Sequence, residues 1–140
     1  MKLGHDCCLI YNAHQVQKGD MLFLLSCEQI FKNMHLNRHN LVVHESALPA
    51  GKGWSPLTWQ VLEGKSFIPT AFFEAAEKVD SGLVYFNDSI QLDGTELVAD
   101  LRKLQGEKTI KMALRFLSAY PNIKGAEQAG ESTFYPKRTP

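Results

Sequence analysis

The sequence has no surplus of charge of either sign, because its 15 lysines and arginines are balanced by 15 aspartates and glutamates. A chain whose main partner is a nucleic-acid backbone or an anionic membrane usually carries a basic excess that attracts the phosphates. Net neutrality argues against a polyanionic partner. We therefore expect a small, roughly neutral substrate or a protein surface.

Long hydrophobic runs are also missing. The longest apolar stretches, such as MLFLLSC at 21–27, are far shorter than the roughly 20 residues that a membrane-spanning helix needs. The N-terminal residues MKLGHDCC contain no apolar core of the kind that a secretory signal has. These absences predict a cytoplasmic protein with no membrane partner.

Potential metal ligands are few and poorly spaced. Two of the three cysteines, Cys7 and Cys8, are adjacent, and Cys27 stands apart, a pattern that suits neither a zinc site nor a disulfide framework. Buried thiols are the expectation. The five histidines are scattered without ligand spacing, so no metal site is expected.

What the chain does have is enough apolar sequence for one domain, since 44% of its 140 residues are hydrophobic. The segments 7–11, 21–27 and 41–43 are continuous apolar runs, a pattern typical of strands covered on both faces. Helix-compatible segments at 28–34 and 56–64 follow the second and third runs. The alternation predicts an α/β fold with a mainly parallel sheet.

The second half of the chain predicts a different pairing and a long helix. Residues 67–75 and 82–92 are rich in aromatic and β-branched types and flank a turn sequence, which indicates an antiparallel addition to the sheet. A D-x-x-E capping box at Asp93 and Glu96 precedes apolar residues at helical spacing, so we expect a long helix with an interruption near Gly106. Periodicity ends after residue 120. We therefore divide the chain into a domain at 1–120 and an extended tail at 121–140.

His44 directly follows the apolar run at 41–43. Ligands of open α/β sheets bind beyond the carboxyl ends of the strands, so this is a position where active-site residues occur. From position alone, a solvated or hydrogen-bonded surface histidine is the more frequent case. Trp54 and Trp59 also have two interpretations: each ring either stacks on a ligand ring or packs in the core. For Trp59, packing in the core is the more frequent case.

The whole segment around His44 carries a pattern, H-x-S-x-L-P-x-x-[KR]-G-x-x-P. A D-x-G sequence follows, with its aspartate 36 positions after the histidine. This pattern resembles the formyltransferase family that uses 10-formyltetrahydrofolate, and STFYPK at 132–137 resembles the segment that closes the family's catalytic domain. The matching residues are His44, Ser46, Leu48, Pro49, Lys52, Gly53, Pro56, Asp80 and Gly82.

The resemblance implies a Rossmann-like formyltransferase sheet and a role for each matched residue. Formyl transfer to an amine passes through an oxyanion-bearing intermediate, and the resemblance implies that His44 polarises the formyl carbonyl while Asp80 helps to carry the amine proton away. Their side chains should then converge on one cleft. The implied folate contacts are Leu48, Pro49, Gly53 and Val79. Ser46 is an implied acceptor contact, and Lys52 either contacts an anionic part of the acceptor or lies in solvent.

The chain departs from the family pattern at two points. The family's N-x-H asparagine, an oxyanion donor, is replaced here by Val42, and losing one such donor typically costs about a hundred- to a thousandfold in rate. Asn40 is too far along the strand to replace it. The chain also begins too late for the family's first strand and helix. This N-terminal shortening would expose a sheet edge that a second copy, in a homodimer, could cover.

Two hypotheses remain. The first is a formyltransferase that acts on a small-molecule amine, with a nucleotide-linked amino sugar favoured over methionyl-tRNA because the chain is neutral and lacks the C-terminal barrel of the tRNA enzymes. The alternative is a catalytically weak or inactive homologue that serves as a binding or dimerisation module. Val42 and the missing N-terminal strand favour the second hypothesis, whereas His44, Asp80 and the LPAGKG loop favour the first.

Overall fold

A central mixed sheet and one long helix make up most of the structure, a computed structural model that describes residues 4–139. Pairs of longer strands alternate with the two α-helices along the described part of the chain, and the α/β class is confirmed. Two short strands accompany the sheet, and single 3-10 turns occur at Ala13–Gln15 and Met34–Leu36. The elements are β1 (Gly19–Leu24), β2 (Asn37–His44), β3 (Lys52–Gly53), α1 (Pro56–Leu62), β4 (Phe67–Glu74), β5 (Val84–Gln91), α2 (Val98–Ala119) and β6 (Phe134–Tyr135).

Within residues 4–139 the main sheet has the strand order β1-β2-β4-β5. β1 and β2 are parallel, with Phe23 opposite Leu41. β2 then pairs antiparallel with β4, and β4 pairs antiparallel with β5, so parallel pairing is confined to β1–β2 and to the small β3–β6 pair. The sheet is more antiparallel than its continuous apolar runs indicated, because burial on both faces gives the same run whichever way the neighbouring strand points.

The predicted antiparallel pair of strands is confirmed in β4 and β5. The connection between them returns very close to the end of β4, and a Cβ at Gly82 would lie 1.6 Å from the carbonyl oxygen of Glu74. Only glycine fits at that position. The same connection carries Asp80, whose φ of 53° lies in the left-handed region that residues other than glycine seldom adopt.

The core lies between the sheet and α2. Phe72 of β4 and Phe86 of β5 stack at 5.0 Å between ring centroids, and Phe116 of α2 packs 5.2 Å from Phe72. Met112 and Leu41 complete this cluster, and each is almost fully buried. The long helix thus holds three strands of the sheet together on one face.

The long helix is confirmed, with two differences in detail. It runs through Gly106 without a break, because one glycine costs only about 1 kcal/mol relative to alanine and the packed apolar face on either side offsets it. The predicted capping box does not cap it, since Asp93 and Glu96 form a turn one residue before the helix begins. Instead, the Asp100 carboxylate accepts the backbone N–H of Leu97, the N-cap residue.

Three local predictions are wrong. Residues 7–11 form no strand, and Leu9 and Tyr11 are largely exposed, because an apolar run without a neighbouring strand to pair with gains no ladder. Residues 28–34 form no α-helix, because so short a segment does not nucleate one without a packed face, and only Phe31 in it is buried. The three cysteines lie in these regions or just before them, and all are exposed rather than buried.

The tail packs along the domain. Ala126 bridges to Val84 at the start of β5, and β6 pairs in parallel with β3. At the other side of the molecule, β1 pairs with β2 alone among the described residues, which leaves it at the sheet edge. Pairing of that edge with a second copy stays a prediction. No helix among residues 4–139 is long and apolar enough to cross a membrane.

Candidate active site

His44 is the last residue of β2, and the turn that follows buries it. Its side chain is 9% exposed, and its ring lies edge-on to Phe73 of β4 at 6.4 Å between centroids. Nε2 lies 2.8 Å from the carbonyl oxygen of Gly51 in the loop that follows the strand. Because a carbonyl oxygen only accepts, this hydrogen bond requires the proton on Nε2. The loop therefore fixes both the ring orientation and the tautomer.

The structure brings Asp80 to His44. Asp80 Oδ2 lies 3.7 Å from His44 Nε2, and the carboxylate is 12% exposed. The same oxygen accepts the backbone N–H of Gly53 at 2.8 Å. The 36-residue interval in the sequence thus becomes a contact between the end of β2 and the turn after β4.

Because Nε2 of His44 is directed at Gly51 and Asp80, Nδ1 is the ring nitrogen that can exchange a proton or a hydrogen bond with a substrate. In the neutral ring Nδ1 is an acceptor, and in the protonated ring both nitrogens donate. The pair can therefore present a hydrogen-bond donor to a developing oxyanion, or accept a proton from an attacking amine.

Gly53 is required where the loop, the carboxylate and the tail meet. Its φ is 96°, and a Cβ at this position would lie 2.5 Å from the carbonyl oxygen of Tyr135. A side chain would push the tail away and disturb the amide that holds Asp80. The glycine of the sequence pattern therefore has a steric reason that is independent of any ligand.

The tail supplies positioning residues that the sequence reasoning missed. Gln128 donates from Nε2 to the carbonyl oxygens of Asp80 and Gly82, at 2.8 and 3.0 Å, and so holds the Asp80 turn. Thr133 Oγ1 accepts the backbone N–H of Gly51 at 2.8 Å, and its carbonyl accepts the N–H of Lys52. The resemblance of residues 132–137 to the family was the available signal, but it gave no role to single residues.

Trp59 and Tyr135 attach the tail to α1. Their rings stack 6° from parallel at 6.1 Å between centroids, and Trp59 Nε1 donates to the carbonyl oxygen of Pro136 at 3.0 Å. Burial and a hydrogen bond to Glu63 raise the pKa of Tyr135. Trp59 is thus used in packing. Trp54 is 38% exposed and lies under the ammonium group of Lys137.

The other residues predicted for the site lie in the loop after β2 and in the Asp80 turn. Ser46 is buried, and its Oγ has no hydrogen-bond partner among the described residues. Leu48 is half-buried and Pro49 is buried in the loop. Val79 is exposed in the Asp80 turn, where its carbonyl accepts the hydroxyl of Ser81. The loop and the turn thus carry apolar groups and one hydroxyl without a hydrogen-bond partner.

Lys52 does not lie in solvent. It is 4% exposed, and its Nζ donates to Ser81 Oγ at 3.0 Å. An open cavity of about 400 Å³ lies against it. Neither His44 nor Asp80 lines that cavity, which opens beside the pair. Its walls are Pro49, Lys52, Lys78, Ser81, Gly82, Leu83, Glu127, Gln128, Gly130 and Ser132.

The position two residues before His44 offers no polar group. Val42 is half-buried in β2, opposite Phe73, and its side chain points to the same face of the strand as His44. Asn40 is buried and donates from Nδ2 to the carbonyl of Met34 at 2.9 Å, so it is engaged away from the pair. Among the described residues, no three His, Cys, Asp or Glu side chains form a group that could hold a metal ion.

Sequence comparison finds relatives of one kind. The methionyl-tRNA formyltransferase of Chlorobium limicola is 26% identical over 93 residues, which are 64% of this chain and 29% of that protein. The methionyl-tRNA formyltransferase of Anaeromyxobacter dehalogenans is 28% identical over 96 residues, 66% of this chain and 31% of that protein. The chain thus spans less than a third of the length of these relatives. No protein-family model matches it.

Solved structures with a similar fold include formyltransferases. Methionyl-tRNA formyltransferase from Clostridium thermocellum superposes with a TM-score of 0.73 over 86% of this chain and 52% of that one, at 21% identity. The formyltransferase PseJ from Anoxybacillus kamchatkensis, solved with a formamido sugar nucleotide and tetrahydrofolate, gives 0.59 over 69% of this chain and 51% of that one, at 16% identity. Sequence relatives and fold agree: over the part that it spans, the chain is similar in sequence to methionyl-tRNA formyltransferases and has the fold of formyltransferases.

Proposed function

We propose that this chain transfers a formyl group from 10-formyltetrahydrofolate to a primary amine of a small acceptor. The observation that carries the proposal is the His44–Asp80 pair, with 3.7 Å between Nε2 and Oδ2 at the carboxyl end of β2. A buried imidazole beside a carboxylate is suited to a reaction that builds negative charge on oxygen and releases a proton from nitrogen.

His44 acts on the formyl carbonyl. With Nε2 bound to Gly51, the protonated ring directs Nδ1–H at the oxygen that becomes negative when the amine nitrogen attacks. Asp80 stabilises that imidazolium and takes the amine proton, directly or through a water. The tetrahedral intermediate then collapses with cleavage of the bond to the folate nitrogen, that nitrogen receives the proton that Asp80 took from the amine, and a formamide and tetrahydrofolate leave the site.

The residues around the loop are compatible with a folate. Leu48, Pro49 and Val79 offer an apolar surface for a flat ring system, and the buried Ser46 hydroxyl lacks a protein partner that a polar edge of the ligand would supply. PseJ, which shares the fold, was solved with tetrahydrofolate.

A nucleotide-linked amino sugar is the acceptor that we favour. The sequence relatives are methionyl-tRNA formyltransferases, whereas PseJ holds a UDP-linked formamido sugar. The chain has no net positive charge to attract tRNA, because its 15 basic and 15 acidic residues cancel. A small amine therefore fits this chain better than a large polyanion.

Val42 supports the alternative of a weak or inactive homologue used as a binding module. The side chain on the same strand face as His44 cannot donate a hydrogen bond to an oxyanion, and the engaged Asn40 does not replace it. One missing donor slows such a reaction roughly a hundred- to a thousandfold without removing the acid–base pair. We therefore favour the hypothesis of a slow enzyme over that of a binding module.

The test is release of tetrahydrofolate from 10-formyltetrahydrofolate in the presence of a panel of amino-sugar nucleotides and, separately, methionyl-tRNA. We expect slow transfer by the wild type and loss of transfer in His44→Ala and Asp80→Asn. His35→Ala, which changes an exposed histidine outside the site, is the matched control and should behave as the wild type. Equal rates in the wild type, His44→Ala and His35→Ala would refute the proposal.

A further inference from the structure

Lys52 is a buried cation without an acidic partner. Its Nζ donates to Ser81 Oγ at 3.0 Å and lies 5.8 Å from the ring centre of Phe134. The ion pairs within residues 4–139 involve other side chains, and none includes this ammonium group. An ammonium group has three donors and one positive charge, so a single neutral hydroxyl leaves both its hydrogen bonding and its charge incompletely satisfied.

The cavity beside Lys52 has the features of an anion site. Lys52 and Lys78 both line it, and Ser81 and Ser132 bring hydroxyl groups to its wall. Glu127 is the acidic residue on the same wall, so the described lining has an excess of positive charge. A volume of about 400 Å³ is within the range of small-molecule sites and is ample for a diphosphate group.

The location links this cavity to the proposed reaction. Lys52 immediately precedes Gly53, whose backbone N–H holds the Asp80 carboxylate, and Ser81 immediately follows Asp80. An anionic group bound by Lys52 therefore lies close to the group that takes the amine proton. In 10-formyltetrahydrofolate the formyl-bearing nitrogen is separated from the glutamate carboxylates by a benzoyl ring and an amide. An anion held beside Asp80 therefore suits the acceptor better than the folate.

We infer that Lys52, with Lys78, binds a phosphate group of the acceptor and so selects phosphorylated small-molecule amines. The inference rests on the proposed function for the identity of the molecule, but the anion site itself can be tested without catalysis. A phosphate oxygen accepts charge-assisted hydrogen bonds from the ammonium group and supplies the counter-charge that the protein lacks there.

The test is calorimetric titration of the full chain with UDP and with inorganic pyrophosphate. We expect saturable binding of both, weakened roughly tenfold to a hundredfold in Lys52→Met, as expected for a lost charge-assisted hydrogen bond. Ser132→Glu adds a carboxylate at an exposed cavity wall and should reduce binding similarly without disturbing a buried position. Lys103→Met and Ser118→Glu make the same changes at exposed positions on α2 and should bind as the wild type.

Circular dichroism checks that each variant is folded. If Lys52→Met does not fold, the binding measured with Ser132→Glu tests the anion site alone. The inference would be overturned if the wild type did not bind pyrophosphate. It would also be overturned if Ser132→Glu bound pyrophosphate as tightly as the wild type does. Two further ligands distinguish the source of the anion. If 5-formyltetrahydrofolate binding is weakened by Lys52→Met, or if a short RNA ending in CCA binds through Lys52 and UDP does not, the site does not serve a small acceptor.

Comparison with the transfer assay separates the two proposals. Transfer to an uncharged amine with no binding of UDP or pyrophosphate would refute the anion site and leave the proposed function standing. Binding of UDP that is lost in Ser132→Glu, without transfer to any acceptor, would refute the proposed function and leave the anion site standing.

Discussion

Gln128→Met tests how strongly the tail holds the Asp80 turn. Methionine has nearly the same length as glutamine but no donor, so the change removes the two hydrogen bonds from Nε2 to the carbonyl oxygens of Asp80 and Gly82. At about 0.5–1.5 kcal/mol each, these bonds amount to about 1–3 kcal/mol of the free energy of unfolding. The Oε1 atom of Gln128 is buried without a partner, and its removal offsets part of that loss. We therefore expect destabilisation by about 1–2 kcal/mol.

Thermal unfolding followed by circular dichroism measures this change. For a chain of this size, about 1 kcal/mol corresponds to a shift in Tm of roughly 4 °C, so Gln128→Met should unfold about 4–8 °C below the wild type. Gln17→Met, at an exposed position, is the control and should leave Tm unchanged. Because the released turn carries Asp80, formyl transfer should fall through kcat more than through KM. A variant with wild-type Tm and wild-type kcat would show that the tail does not position the turn.

The remaining predictions concern the loop and the surface of the sheet. In urea unfolding, Gly53→Ala should destabilise the protein more than Gly64→Ala. Both glycines have a positive φ, but only a Cβ at position 53 would meet the tail, at 2.5 Å from the carbonyl oxygen of Tyr135. Equal losses of stability would show that this contact is unimportant. A hydrogen bond from Lys108 holds the pKa of Asp88 below its ordinary value of 3.8. The stabilisation from that pair is complete above the ordinary pKa and is lost as the pH falls through the lowered value, so the wild type should lose stability more steeply than Lys108→Met below about pH 4. Parallel acid unfolding curves for the two proteins would contradict this.

The candidate site could be predicted from the sequence because the residue pattern that carries the family resemblance is local and sterically constrained. His44 follows an apolar strand, and the glycines of the loop pattern are needed where the chain turns back on itself, as at Gly53. The two antiparallel strands were predicted for a similar reason, since β-branched and aromatic runs on either side of a turn have few other arrangements. Such features depend on neighbours in the sequence and can be read without the fold.

The sequence could not reveal features that depend on distant partners. Residues 7–11 have the composition of a strand, but a strand exists only where another supplies its hydrogen bonds, and that is not a local property. Gln128 and Thr133 lie in a stretch without periodicity, and their importance comes from carbonyl and amide groups about 50 to 80 residues away. The burial of Lys52 likewise follows from the packing of the Asp80 turn and the tail around the loop.

The most direct test of the account is the effect of Val42→Asn on turnover, because the central claim is a formyltransferase site that lacks one oxyanion donor. The asparagine would place an amide on the face of β2 that carries His44, at a cost of about 1–3 kcal/mol of stability if the amide is buried without its substrate partner. The account predicts that kcat for tetrahydrofolate release rises, by up to about a hundredfold, and that the gain disappears in Val42→Asn/His44→Ala. A folded, folate-binding Val42→Asn protein that turns over no faster than the double variant would contradict the account and favour the binding module.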